Sequence, residues 1–302
     1  MMTSLLEKLR AVAREDQILE NEPMWKHTTF RVGGPADVVF LPESAEQVVQ
    51  GLAAASEAGV PSLVIGNGSN LLVRDGGIRG LVIILGEGMA AIARVDNVVT
   101  AWAGASLARV SAYAQASGLS GLEFASGIPG TLGGGCAMNA GAYGGQLSDV
   151  LIDAEVLLNG DIRTLTVDEM QMGYRTTLPL REGGVVLSAR FKLRPDDPGA
   201  ILARMKDLNA RRRDKQPLSF PSAGSVFKRP EGYFAGALIE QAGLKGRSVG
   251  GAQVSEKHAG FIVNTGGATA KDVTDLIELV QREVMARSGV RLETEVRILG
   301  EA

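Results

Sequence analysis

The segment from Ser126 to Gly145 reads Ser-Gly-Ile-Pro-Gly-Thr-Leu-Gly-Gly-Gly-Cys-Ala-Met-Asn-Ala-Gly-Ala-Tyr-Gly-Gly, and it constrains the chain more than any other. A run so poor in bulk is not expected to fill a core. Glycine lets the main chain adopt positive φ and approach a ligand with no Cβ in the way. Successive N–H groups in turns form concave anion sites without a cationic side chain, so phosphate is the ligand such a backbone suits. The competing reading is a flexible linker. Linkers are serine-rich and polar, whereas Ile128, Pro129, Leu132, Cys136, Met138 and Tyr143 are interleaved here, which favours a cradle.

Composition sharpens this. Glycine makes up 39 of 302 residues and aromatics only 5%, so a site lined by main chain is expected before one built on stacked rings. With 45% apolar and 22% charged residues the profile is that of a soluble globular protein, with length for about two domains. A net charge of −3 gives no global attraction to nucleic acid or to an acidic membrane. The single cysteine, Cys136, excludes an intrachain disulfide and a multi-cysteine metal site, and with only His27 and His258 no metal centre is expected. Glu7, Lys8, Arg10, Arg14, Glu15 and Asp16 interrupt the N-terminal stretch, which leaves no signal-peptide core. Apolar runs such as Leu81–Leu85 fall far short of the roughly 20 residues that span a bilayer. A cytoplasmic protein without membrane or nucleic-acid partners is expected.

Periodicity predicts an amphipathic helix over residues 4–19 through Leu5, Leu9, Val12 and Leu19. Next come a strand at Val38–Phe40, a helix opened by Ser44 with Gln47 and stopped at Gly59, and a strand at Ser62–Ile65. Such a strand–helix–strand unit implies a right-handed parallel crossover, and it ends in Gly66-Asn-Gly-Ser-Asn70, where α/β proteins place ligands. A hairpin is predicted at 91–101, a helix from Ser106 to Gly118, and a second hairpin around Asn159-Gly160. Val185–Leu193 alternates as a strand, and Arg194–Gly199 reads as a boundary before a helix from Ala200 to about Arg213. Thr269 and Asp272 cap a helix carrying Val273, Leu276, Ile277, Val280 and Val284 on one face, with Gly289 at its end. The last strand sets Val290, Leu292, Val296 and Ile298 against Arg291, Glu293, Glu295 and Arg297. These elements make an α+β chain in four segments: an N-terminal helix arm over 1–25, then 26–87, 88–198 and 199–302.

Familiar nucleotide motifs fail. Gly66-x-Gly68 lacks the third position of G-x-G-x-x-G, and Gly86-Glu-Gly-Met-Ala-Ala91 has no acidic residue about 20 positions on. No G-x-x-x-x-G-K-[ST] occurs. The two glycine loops, 66–70 and 126–145, are either unrelated turns or one cradle for a long diphosphate such as that of FAD.

Arg31-Val-Gly-Gly-Pro-Ala-Asp37, Gly66-Asn-Gly-Ser-Asn70, Gly127-Ile-Pro-Gly-Thr-Leu-Gly-Gly134, Asn139-Ala-Gly141, Gly173-Tyr-Arg175, Gly224-Ser-Val-Phe-Lys228 and Glu293-Thr-Glu-Val-Arg297 occur in this order. Over nearly its whole length the chain thereby resembles the UDP-N-acetylenolpyruvoylglucosamine reductases. The resemblance implies a two-part FAD-binding α+β domain of the vanillyl-alcohol-oxidase (PCMH) type, with subdomains at 26–87 and 88–198, and a C-terminal α+β substrate-binding domain at 199–302. It implies that NADPH reduces FAD, that hydride passes to C3 of an enolpyruvyl ether, and that a serine protonates C2 to give UDP-N-acetylmuramate for peptidoglycan. The expected partners are a UDP-sugar and NADPH, and the expected state is a monomer.

Residue by residue, the resemblance assigns FAD to Gly66, Asn67, Gly68, Ser69 and Asn70, to Gly127, Ile128, Pro129, Gly130, Thr131, Gly133 and Gly134, and to Asn139, Ala140 and Gly141. It makes Ser225 the proton donor, Arg175 the group that stabilises the enolate, and Glu295 the catalytic carboxylate. Arg212, Lys215 and Lys228 match the substrate-binding positions. Read unaided, Ser225 is a turn residue after glycine, Arg175 a surface arginine, and Arg211–Lys215 the basic end of a helix. Arg291, Glu293, Glu295 and Arg297 are either solvated ion pairs worth little or, if they face a cleft, place Glu295 and Arg297 together as buried charge. Arg229 stands where some members carry asparagine. Only nine residues separate Arg175 from Val185, so the tyrosine-bearing insertion of some members is absent and the chain resembles the shorter type. Two rivals stay open: another FAD-linked oxidase or dehydrogenase on the same fold, and a flavin sensor without turnover. The first would not need the Gly224-Ser225 loop, the basic segment and Glu295 together, and the second would keep both glycine loops yet lose Arg175, Ser225 or Glu295.

Overall fold

The computed structural model describes residues 1–302. Helix α1 (Met2–Arg10) buries Leu5 and Leu9. It stops well before residue 19; a single 3-10 turn at Glu15–Gln17 follows, and Gln17 is buried. Its side chain accepts from Arg14 N at 2.9 Å and donates to Leu41 O at 2.9 Å, and Leu19 falls in strand β1 (Ile18–Pro23). After β2 (Pro35–Phe40), Ser44 Oγ accepts from Gln47 N at 3.1 Å and opens α2 (Ala45–Glu57), with Gly59 at φ +65° beyond its end. Strands β3 (Ser62–Ile65), β4 (Leu71–Val73) and β5 (Ile78–Ile84) come next. The four-stranded sheet has the order β1-β2-β5-β3, so the strands flanking α2 are separated by β5.

The hairpin of β6 (Ile92–Val95) and β7 (Val98–Trp102) turns at Asp96, φ +51°. Helix α3 (Leu107–Ala116) is capped by Ser106 Oγ, 3.2 Å from Arg109 N, and a short α4 (Leu132–Ala137) lies inside the glycine stretch. Strands β8 (Leu151–Leu158) and β9 (Asp161–Thr166) meet at Asn159-Gly160, φ +54° and +88°, where both turn residues need positive φ. After α5 (Leu178–Glu182) and β10 (Val185–Lys192), an antiparallel sheet of order β9-β8-β10-β7-β6 is complete. Leu107, Val110 and Ala114 of α3 join Leu132 and Cys136 of α4 in one core with Val156, Phe191 and Ala101 of that sheet. The expectation that the glycine stretch fills no core is therefore corrected. Burial pushes the Cys136 thiol up to about 12, so it is packing rather than chemistry.

Helix α6 (Pro198–Lys215) precedes α7 (Ala235–Gln241), β11 (Ala252–Val254) and β12 (Ile262–Asn264). Thr269 and Asp272 form the expected capping box of α8 (Ala270–Ser288), and Gly289 ends it at φ +69°. Asp75 adds a second cap by accepting from Ala270 N and Lys271 N at 2.8 and 2.9 Å. The expected terminal strand shrinks to β13 (Arg297–Leu299), parallel to β4. Leu292 and Val296 are buried as predicted, but 290–296 bonds to the 226–228 segment instead of forming a regular ladder. Two compact units result: residues 1–19, 39–67 and 82–212, and residues 20–38, 68–81 and 213–302. No helix is long and apolar enough to cross a membrane.

The glycines of α4 divide by direction. A Cβ on Gly133 would lie 2.8 Å from Ala103 Cβ, whereas one on Gly134 would meet only Thr131 Oγ1, at 3.7 Å. Gly133→Ala is expected to lower stability by about 1–3 kcal/mol through overpacking, and Gly134→Ala to stay within about 0.5 kcal/mol, both read from urea midpoints of the flavin-free protein.

Candidate functional site

In the first unit the two glycine loops meet. A Cβ on Gly66 would fall inside the van der Waals envelope of Thr131 Oγ1, so only glycine allows this approach. Asn67 Nδ2 donates to Pro129 O at 3.4 Å. Thr131 Oγ1 itself is buried without a hydrogen-bond partner, an orphan that a bound group can satisfy. Gly133 is turned inward, its N–H donating to Ala103 O at 2.9 Å, while Gly134 is exposed. The candidate cradle comprises Gly66, Asn67 and 127–131 with the outer face of Gly134, while Gly133 packs inward. An orphaned hydroxyl between two side-chain-free loops fits a polar, elongated cofactor.

Helix α6 is fastened along this cradle. Arg204 Nη2 lies 2.9 Å from Glu123 Oε1, Asn209 Nδ2 donates to Ser126 Oγ at 3.2 Å, and a Cβ on Gly127 would come 3.0 Å from Arg212 Cδ. Spacing along the helix thus delivers Arg212 over Gly127. Burial holds the half-buried Arg212 guanidinium below its usual range, with the Tyr143 phenol partly opposing, and no carboxylate pairs with it. Tyr143 and Gly144, φ +54° and +85°, form the turn of a tight hairpin in which Ala142 pairs with Gly145. Lys215, three positions beyond Arg212, is exposed.

Arg175 is half-buried at φ +56° in a two-residue turn closed by Gly173 N donating to Thr176 O at 2.9 Å. Its guanidinium carbon stands 5.2 Å from the Tyr174 ring centroid. Asn139 is buried; its Nδ2 donates to Gly173 O and its Oδ1 accepts from Ser148 N.

The second unit gathers the other pieces. Gly68 packs on the carbonyl of His27 and accepts from Thr29 N at 3.3 Å, while Thr29 Oγ1 donates to Ser222 O at 2.7 Å. Asn70 donates from Nδ2 to Glu295 O at 3.1 Å and accepts from Arg297 N at 3.0 Å. Glu295 N in turn donates to Val226 O at 2.7 Å, and Val226 N to Gly260 O at 2.9 Å. Ser225, exposed after Gly224 at φ +78°, and Glu295, half-buried, are thereby set on adjoining segments. Arg291, Glu293 and Arg297 are exposed, whereas Glu295 is half-buried and so departs from its solvated neighbours. Lys228 pairs loosely with Glu293, Nζ to Oε2 3.4 Å, and the Arg229 guanidinium lies 4.0 Å over the Phe234 ring.

Sequence reasoning misses the supports. His258 Nδ1 accepts from Gly260 N at 3.1 Å, directly beneath the serine segment, and burial holds its imidazole below the usual range. His27 bonds to Glu22 Oε1 at 3.0 Å behind Gly68. A lone histidine carries no sequence signal of such a role; only the tertiary contact reveals it.

A family model for an FAD-binding domain matches residues 36–167, and one for the C-terminal domain of UDP-N-acetylenolpyruvoylglucosamine reductase matches 216–299. Fold, cradle and match define an FAD-dependent oxidoreductase with an α+β cofactor domain of the PCMH type followed by an α+β C-terminal domain. The UDP-N-acetylenolpyruvoylglucosamine reductase of Alkaliphilus oremlandii is 51% identical over 294 residues, 97% of each chain. A crystal structure of the UDP-N-acetylenolpyruvylglucosamine reductase from Thermus caldophilus superimposes with a TM-score of 0.78 at 37% identity, covering 93% of this chain and 97% of that one. The chain belongs to the UDP-N-acetylenolpyruvoylglucosamine reductase family. An alkyldihydroxyacetonephosphate synthase, 18% identical with a TM-score of 0.50 over 64% of this chain and 40% of that one, shares the fold alone.

The Arg204–Glu123 link that seats α6 carries a pH signature. Burial works to raise the Glu123 carboxyl, but main-chain N–H groups of Glu123 and Gly121, the Arg204 guanidinium and the Ser120 hydroxyl outweigh it and hold it below 4.5. A carboxyl depressed on folding stabilises above its unfolded value and loses that contribution as pH falls through the folded one. Stability is therefore expected to decline as pH drops below 4.5, and Glu123→Gln to flatten that decline, measured by urea unfolding at a series of pH values.

Proposed function

We propose that the protein reduces the enolpyruvyl ether of UDP-N-acetylglucosamine enolpyruvate to UDP-N-acetylmuramate, with NADPH as reductant, as a cytoplasmic monomer in peptidoglycan precursor synthesis. The observation that carries this reading is the joint frame of Ser225 and Glu295, whose segments are tied through Glu295 N and Val226 O at 2.7 Å. Family membership supplies the reaction class. Bound FAD, reduced by NADPH, supplies the hydride that enters at C3.

Gly66, Asn67, the 127–131 loop, Gly134 and the 139–141 main chain hold the cofactor. Ser225 holds the proton destined for C2. A neutral hydroxyl suffices, since the carbanion it quenches is far more basic than the serine alkoxide that the proton transfer leaves. Arg175 counters the charge that develops on the substrate carboxylate, a contribution greatest where the charge is new. Glu295 borders Ser225 on the neighbouring segment and orients the proton transfer. Arg212, Lys215 and Lys228 bind the nucleotide end of the substrate.

The test is stopped-flow flavin absorbance, NADPH first and the enolpyruvyl sugar nucleotide second. The purified protein should be yellow, bleach with NADPH and recover with substrate. Ser225→Ala should bleach near normally while recovery slows by about 10²–10⁴-fold; equal damage to both phases rejects Ser225 as the acid. Thr131→Val should leave the flavin-free protein as stable as its parent or more so, since it removes an orphaned hydroxyl, yet weaken FAD binding by roughly 5- to 10-fold in a fluorescence titration.

A further inference from the structure

Asn139 stands in the glycine stretch, but its side chain is engaged away from any ligand. It is 2% exposed at φ +45°, and its Nδ2 donates to Gly173 O and Gln146 Oε1, both at 3.3 Å. Its Oδ1 accepts from Ser148 N at 3.1 Å. Gly173 opens the turn that presents Arg175. On the far side of that turn Thr177, fully buried, donates from Oγ1 to Ala137 O at 2.7 Å. Both flanks of 173–177 are thus fastened to the C-terminal end of α4, the helix that begins at the cofactor cradle.

The backbone between the two fastenings is strained. Left-handed φ costs a residue with a Cβ about 1–2 kcal/mol, and such conformations persist only where the surroundings impose them. Arg175 holds φ +56° with a long side chain, and glycine, which would relieve the strain, carries no guanidinium. We propose that Asn139 is a positioning residue for Arg175: its bond to Gly173 O imposes the left-handed turn and so sets the direction in which the guanidinium leaves the main chain. The inference rests on the reading of Arg175 as the group that stabilises the enolate. It gives the second glycine stretch two tasks, cradling the cofactor at its start and aiming the arginine at its end. The clamp also makes the Arg175 turn depend on the same short helix that carries Gly134.

Asn139→Gly retains the positive φ and deletes the side chain; Asn139→Asp keeps the acceptor for Ser148 N and deletes the donor. In the holoenzyme each should retain stoichiometric FAD and slow oxidation of the reduced enzyme by the enolpyruvyl sugar nucleotide about 10- to 100-fold, the cost of misplacing a reacting group by roughly 1 Å. The loss should fall on kcat, with KM within about threefold. Amide exchange of the 173–177 peptide should quicken in the flavin-free variants. Arg175→Ala should be slow by itself, and the Asn139→Gly/Arg175→Ala double variant no slower, since the two act through one group. Losses that multiply in the double variant, or a parental oxidation rate in both Asn139 variants, overturn the inference while leaving the role of Arg175 intact. Release of FAD by Asn139→Gly would place the side chain in the cofactor site and overturn it likewise. A parental rate in Arg175→Ala would remove the reading of Arg175 and this inference together.

Discussion

The contact of Gly66 with Thr131 is the constraint on which the cradle depends. Two loops 65 residues apart in the chain abut so closely that a single Cβ between them is excluded. The effect is chemical as well as steric. The approach buries Thr131 Oγ1 with no protein partner, and an unsatisfied buried hydroxyl costs on the order of 1–3 kcal/mol until a ligand supplies a bond. Packing therefore leaves a polar deficit at the centre of a surface lined by main chain. A cofactor rich in hydroxyls and phosphate oxygens answers that deficit, and an apolar ligand does not.

Local signals are legible in the sequence where one residue type has one physical use. Ser44, Ser106 and Thr269 cap helices because a hydroxyl at that place accepts an otherwise unbonded N–H, and Asn159-Gly160 turns a hairpin because both residues tolerate positive φ. The signals mislead where a tertiary bond decides the matter. Gln17 gives no sign of being buried, yet inside the stretch predicted as helix its side chain bonds to Arg14 N and Leu41 O. The alternation through 290–298 names the inward residues Leu292 and Val296 correctly, but the main chain around them bonds to 226–228 and never completes a strand.

Glycine is the least legible residue, since a missing side chain looks the same whatever it is missing for. Gly144 supplies a left-handed turn with open space around it, Gly133 and Gly135 admit Ala103 and Leu107, and Gly134 faces outward. Only the second group belongs to the core. Resemblance names the catalytic candidates; it does not say which side chains support them, and it gives Asn70 and Asn139 only as cofactor residues. His27 and Thr29 behind Gly68, Asn70 and Val226 around Glu295, and Asn139 behind Arg175 act through main-chain atoms or through amides aimed at carbonyls. Such bonds leave no pattern in a single sequence, because their partners are atoms that every residue has.

The three cations assigned to the substrate are physically unequal. Lys215 is exposed, and Lys228 shares its charge with Glu293 at 3.4 Å in a pair worth little at an exposed surface. Arg212 is different: burial disfavours its charged form, the Tyr143 phenol gives only partial relief, and no carboxylate offsets the loss of water. A desolvated guanidinium is costly to the fold, and the Arg204–Glu123 and Asn209–Ser126 links farther along α6 are what hold it in place. An anion arriving there recovers that cost as binding free energy, whereas at Lys215 or Lys228 it must first displace water or a carboxylate for a smaller gain. Of the three cations Arg212 is therefore the one at which an anion recovers most, and the helix that bears it is bonded to Glu123 and Ser126.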